Sequence, residues 1–130
     1  VKAFFDTNIL VYAQQRGEKA DRARALLSLG GMVSVQVLNE LASVARKKLG
    51  MSWQEIAEAV ADILALIDPP QTLALTTHLS ALALARDHGV GFYDALIVAA
   101  AGEAGCDLLY SEDLQDGRAF GGLKIVNPFR

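Results

Sequence analysis

Short apolar runs at Val1 to Phe5, Met32 to Val35, Leu73 to Leu75, Leu108 to Tyr110 and Leu123 to Val126 alternate with stretches of helical periodicity. This alternation constrains the fold more than any other feature. A strand covered on both faces reads as a continuous apolar run, whereas a strand with one wet face alternates polar and apolar residues. The implied class is α/β, with a central, mostly parallel sheet of about four to five strands and helices on both faces. In such sheets functional groups gather beyond the carboxyl ends of the strands.

The helical stretches carry their own start and stop signals. Glu18 to Leu29 ends at Gly30-Gly31, and its Glu18 and Arg22 stand at i,i+4, the spacing of a helical ion pair. Gln36 to Leu49 places Leu38, Leu41, Ala45 and Leu49 on one face before Gly50. Ser52 and Glu55 form a capping box ahead of the stripe Ile56, Val60, Ile63 and Ile67, which stops at Asp68-Pro69-Pro70. Thr77 to His88 closes at Gly89, and Tyr93 to Ala104, almost wholly apolar and so expected to be buried, closes at Gly105. Ser111 to Gly122 reads as a polar loop, and nothing repeats internally.

A chain of 130 residues fits one domain spanning positions 1–130. Twelve basic against 15 acidic residues give a net charge of −3, so nucleic acid would have to bind locally rather than through a general basic surface. One cysteine, Cys106, forms no internal disulfide, and with two histidines it provides too few soft ligands for structural zinc. Neither a membrane span nor a signal peptide is evident, and a reducing, cytoplasmic location is expected.

Four acidic residues fall at the expected edge. Asp6 follows the first strand, Glu40 lies about one turn into the helix after the second, Asp94 opens the buried helix, and Asp113 follows the strand ending at Tyr110. Each has an ordinary explanation: Asp6 as a cap, Glu40 on a solvated stripe with Gln36, Ser43 and Lys47, Asp94 at a helix dipole, Asp113 in a wet loop. The joint pattern says more. Like charges about 4 Å apart repel by roughly 4 kcal/mol at an effective dielectric near 20, so a converging quartet takes up protons or a cation. An all-oxygen donor set suits Mg²⁺, or Mn²⁺, rather than zinc or copper. Such an ion activates water and stabilises charge in phosphodiester cleavage.

The segments Phe5-Asp6-Thr7-Asn8, Asn39-Glu40, Tyr93-Asp94-Ala95 and Ser111-Glu112-Asp113 resemble the motifs of PIN-domain ribonucleases. The size and the run from Leu109 to Gly117 resemble VapC-type toxins of bacterial toxin–antitoxin pairs more narrowly. The resemblance implies a three-layer PIN-like fold and a hydrolase that cleaves RNA. It implies Asp6 and Asp94 as the principal metal ligands, Glu40 and Asp113 as the other acidic catalytic groups, and Thr7, Asn8 and Ser111 as support. Asp116 rivals Asp113, which is preferred. A cognate antitoxin and a homodimer are implied as partners, and a mean hydropathy of +0.28 suits surface that a second copy would cover.

Arg16, Lys19, Arg46, Lys47 and Arg118 are candidate phosphate contacts, with Lys47 two turns from Glu40, but each reads first as a surface charge. His78 and His88 are too far apart in sequence for a helical metal pair, Cys106 reads as a small core residue, and Trp53 as a packing residue. A competing function is a catalytically weak PIN-like module that binds RNA or protein. A receiver-type phosphoacceptor fits poorly, since no lysine lies between Lys48 and Lys124, and Asn8 excludes an Asp-x-Asp phosphatase motif.

Overall fold

The computed structural model describes residues 1–130. Strand β1 (Ala3–Phe5) leads into helix α1 (Thr7–Ala13), followed by α2 (Glu18–Ser28), α3 (Val35–Lys47), α4 (Trp53–Leu66), α5 (Leu75–His88) and α6 (Phe92–Glu103). The chain ends in β2 (Leu108–Tyr110), β3 (Ala119–Phe120) and β4 (Leu123–Val126). The sheet order is β1-β2-β4-β3, parallel except for the β3–β4 pair. This is the α/β class that the alternation of apolar runs implies. No helix is long and apolar enough to cross a membrane.

Three expected elements differ. Met32 to Val35 is not a strand: Met32 makes one parallel bridge to Phe4, and Ser34 another to Gln71. Gly30 and Gly31, both at positive φ, turn the chain just before it, and Ser34 caps α3 just after it by accepting the Val37 N–H. Too few extended residues remain for a ladder. Leu73 to Leu75 is not a strand either, because the Thr77 hydroxyl accepts the Ala74 N–H and α5 begins at Leu75. Conversely, the expected loop from Ser111 to Gly122 contains β3, which turns back at Gly121 to pair Phe120 with Leu123.

Other local signals read correctly. Ser52 and Glu55 form both hydrogen bonds of the capping box, and Ile56 and Ile63 of the α4 stripe are buried. Residues Ala95 to Ala101 of α6 are buried without interruption, as an apolar helix requires. Small side chains (Ala81, Ala95, Ala99) let α5 pack closely on α6, and α1 packs against both α2 and α3. The main core joins Phe4, Phe5, Leu109 and Ile125 of the sheet to Ile9, Leu10, Val37, Leu41 and Ile97 of the helices.

Cys106 is a buried core residue as expected. The Glu18–Arg22 pair is not formed: Arg22 donates to the Pro128 carbonyl, and the ion pair in α2 is Asp21–Arg24. Trp53 stays 63% exposed, with the Arg46 guanidinium over its ring, so its packing partner is a surface arginine rather than the core.

Candidate active site

The register of β1 on β2 builds the centre of the site. Phe5 is paired with Tyr110, the Asp6 N–H donates to the Tyr110 carbonyl, and the next residues of the two strands, Asp6 and Ser111, emerge side by side. The Ser111 hydroxyl donates to Asp6 Oδ2 at 2.7 Å and accepts the Leu114 N–H, which folds the following loop back over the strand end. Asp6 also caps α1, with its Oδ1 accepting the Thr7 N–H at 2.7 Å. The capping and the functional readings of Asp6 are therefore compatible in one geometry.

From Asp6 the other carboxylates are reached through neutral donors. The Thr7 hydroxyl donates to Glu40 Oε2 at 2.7 Å, so one residue binds Asp6 through its backbone and Glu40 through its side chain. The Asn8 amide donates to both Asp6 Oδ2 (3.3 Å) and Asp113 Oδ2 (3.2 Å), while its oxygen accepts the Glu112 N–H. An aspartate at position 8 has no hydrogen to share between two carboxylates. Asp94 sits in the first turn of α6, where Gly91 is the N-cap and Asp94 makes no capping hydrogen bond.

All four carboxylates line one cleft of about 520 Å³, together with Thr7, Asn8, Glu112 and Lys48. None of them belongs to an ion pair, since the three pairs present are Lys19–Glu112, Asp21–Arg24 and Arg86–Asp87. On these four the cleft thus gathers negative charge that no cationic side chain pairs with directly. Burial pushes the Asp6 carboxyl up to about 6, although the Ser111 and Thr7 hydrogen bonds oppose the rise and Asp94 and Asp113 add to it. Asp94 is raised as well, first by burial and then by the charges of Asp113 and Glu40. The ionisation of Asp6 and of Asp94 is thus shaped by carboxylates that lie far from each of them in sequence.

The site is open. No three acidic side chains close on one point tightly enough to enclose an ion by themselves. The donor set is all oxygen, its central member is 4% exposed, and Asp6 Oδ1 keeps a lone pair free after the Thr7 hydrogen bond, while Oδ2 accepts from both Ser111 and Asn8. These residues suit a hard divalent cation.

Of the two loop acids, Asp113 faces the cleft and Asp116 turns away to accept the Asn127 N–H. The basic residue lining the cleft is Lys48, at i+8 from Glu40, and not Lys47. Arg46 and Arg118 are engaged elsewhere: Arg46 over Trp53, and Arg118 over Phe120 with a bond to the His88 carbonyl. Lys19 pairs with Glu112, whose other oxygen accepts the Tyr12 hydroxyl at 2.6 Å, so Glu112 is neutralised although it adjoins Asp113. Gln36 is buried and bonded to Glu40, which contradicts a solvated stripe. The i−4 spacing of Gln36 and the i+8 spacing of Lys48 were the available signals for these two.

The PIN domain family profile matches residues 3–116. The chain therefore belongs to the PIN domain family. Its fold is shared with a chain of a toxin–antitoxin complex from Klebsiella pneumoniae (TM-score 0.74, 20% identity, 98% of each chain covered). It is also similar to VapC20 of Mycobacterium tuberculosis, described as a Sarcin-Ricin loop cleaving toxin (0.71, 18%, 86% of this chain and 90% of that one). A third similar structure is VapBC2 from Rickettsia felis bound to a promoter DNA fragment (0.68, 18%, 96% and 97%). No curated protein sequence matches the chain.

Proposed function

We propose that the protein is a divalent-metal-dependent endoribonuclease and the toxin of a type II toxin–antitoxin pair. One observation carries the reading: Asp6, Glu40, Asp94 and Asp113 share a cleft that holds no cationic side chain paired with any of them. Asp6 and Asp94 would hold Mg²⁺ or Mn²⁺ directly, with Glu40 and Asp113 completing the acidic wall. When bound, the ion lowers the pKa of a coordinated water and stabilises charge on the phosphoryl oxygens. Thr7, Asn8 and Ser111 fix the carboxylate directions, and Glu40, with both oxygens already accepting hydrogen bonds, is placed to orient a water or take its proton. Lys48 at the rim supplies the positive charge for an RNA phosphate.

The toxin assignment draws support from structural neighbours that are toxin–antitoxin proteins. A homodimer is supported by Leu75, Leu79 and Leu82, which stand exposed along one side of α5. A cytoplasmic location follows from an RNA substrate. The second reading, a binding module that does not cut, is favoured by the openness of the acidic site. Purified wild-type protein incubated with RNA and Mg²⁺ separates the two, alongside Asp6→Asn and Asp94→Asn. Cleavage by the wild type and its loss in both variants, with folding retained, supports the nuclease. Equal behaviour of all three leaves the binding module.

A further inference from the structure

We infer that Gln36 is a positioning residue, fixing the Glu40 carboxylate against the start of the helix that carries Asp94; this rests on the reading of the cleft as a metal-dependent site. Gln36 is 6% exposed. Its amide nitrogen donates to Glu40 Oε1 at 2.7 Å and to the Tyr93 carbonyl, one residue before Asp94, at 3.3 Å. Glu40 Oε2 is held from the other side by the Thr7 hydroxyl. Both oxygens of Glu40 therefore point where α1 and α3 direct them, and Gln36 spans from α3 to α6.

The amide has only one workable orientation. Its two neighbours, a carboxylate and a carbonyl, both accept, so the NH₂ end must face them. The consequence is that Gln36 Oε1 is buried with no hydrogen-bond partner, the only such side-chain atom in the protein. A Gln–Glu pair at i,i+4 on a solvated helix would leave that oxygen in water. Packing alone is better served here by an apolar side chain of the same length, because a buried acceptor without a donor is unfavourable. The donor end accounts for the choice of glutamine, since it reaches Glu40 and α6 at once.

The test is Mn²⁺ calorimetry, with RNA turnover measured in parallel, on wild type, Gln36→Met, Glu40→Gln and the double variant. Gln36→Met keeps length and volume and removes the orphaned oxygen, so its thermal midpoint is expected to hold or rise. Its Mn²⁺ affinity and kcat are expected to fall by about 10-fold or more, because Glu40 would no longer meet the ion's coordinated water from a fixed direction, with KM for RNA unchanged. In the Glu40→Gln background the same change should have less than about a twofold effect, as coupled residues require. Should Gln36→Met fail to fold, Gln36→Glu gives the reading instead: a second carboxylate beside Glu40 moves the acid limb of the pH–rate profile to higher pH. Wild-type affinity and turnover in Gln36→Met, an equal loss in both backgrounds, or an unmoved profile in Gln36→Glu overturns the inference alone. A wild type that takes up no Mn²⁺ overturns the metal site and this inference with it.

Discussion

Asp6 combines near-complete burial with the absence of a cationic partner, and its ionisation is where structure and chemistry meet. Its carboxyl titrates at about 6 in the folded protein against 3.8 in the unfolded chain. Between those values the folded state binds more protons, so stability falls as pH rises through the window and stays lower above it. The full effect is at most about 3 kcal/mol. Asp6→Asn should therefore raise the thermal midpoint of metal-free protein by a few degrees near about pH 7, and lose that gain near about pH 4, while abolishing cleavage. Calorimetric melts at the two pH values check the sign, and a uniform loss of stability in the variant would contradict it. Asn8→Asp removes the amide shared by Asp6 and Asp113 and adds a like charge, and should cut turnover by about 10-fold or more, read in the RNA assay. Asp6, Asp94, Glu40 and Asp113 were legible in the sequence because acids after strands and in early helical turns converge in an open sheet. Gln36, Lys48 and the neutral pairing of Glu112 were not, since their meaning depends on contacts such as Gln36–Tyr93 that no local spacing encodes.

The approach to α3 places Glu40, and its geometry depends on Gly31. A Cβ at Gly31 would lie 2.5 Å from Phe5 Cε2 and 3.0 Å from the Ala3 carbonyl, at a φ of +147°. Phe5 is fully buried and immediately precedes Asp6, so neither neighbour gives way cheaply. Gly31→Ala should cost about 2–3 kcal/mol and lower the thermal midpoint by roughly 10 °C; an unchanged melt would show that this approach is loose. The helices were the legible elements, because capping boxes, glycine stops and apolar stripes are local. The strands were less so: Met32 to Val35 and Leu73 to Leu75 have strand composition, but caps at Ser34 and Ala74 claim their backbone for helices. β3 has only two residues and exists because β4 offers an edge, a long-range fact absent from its own sequence.

At the scale of the molecule, sheet order gathers acids separated by most of the chain length: β1 and β2 are neighbours, so Asp6 meets Ser111 and Asp113. The α/β class follows from the pattern of apolar runs, whereas the strand order becomes visible only in three dimensions. If the exposed leucines of α5 meet a second copy, light scattering should give twice the 13.9 kDa chain mass, and Leu79→Glu should return the monomer mass without loss of folding. A monomeric wild type would remove the homodimer. The central claim is that the acidic cleft works through a divalent cation, and the most direct measurement is RNA cleavage by purified protein with Mg²⁺, with EDTA, and with Mg²⁺ restored in excess over EDTA. The account predicts cleavage, none, and cleavage again; full activity in EDTA would contradict it.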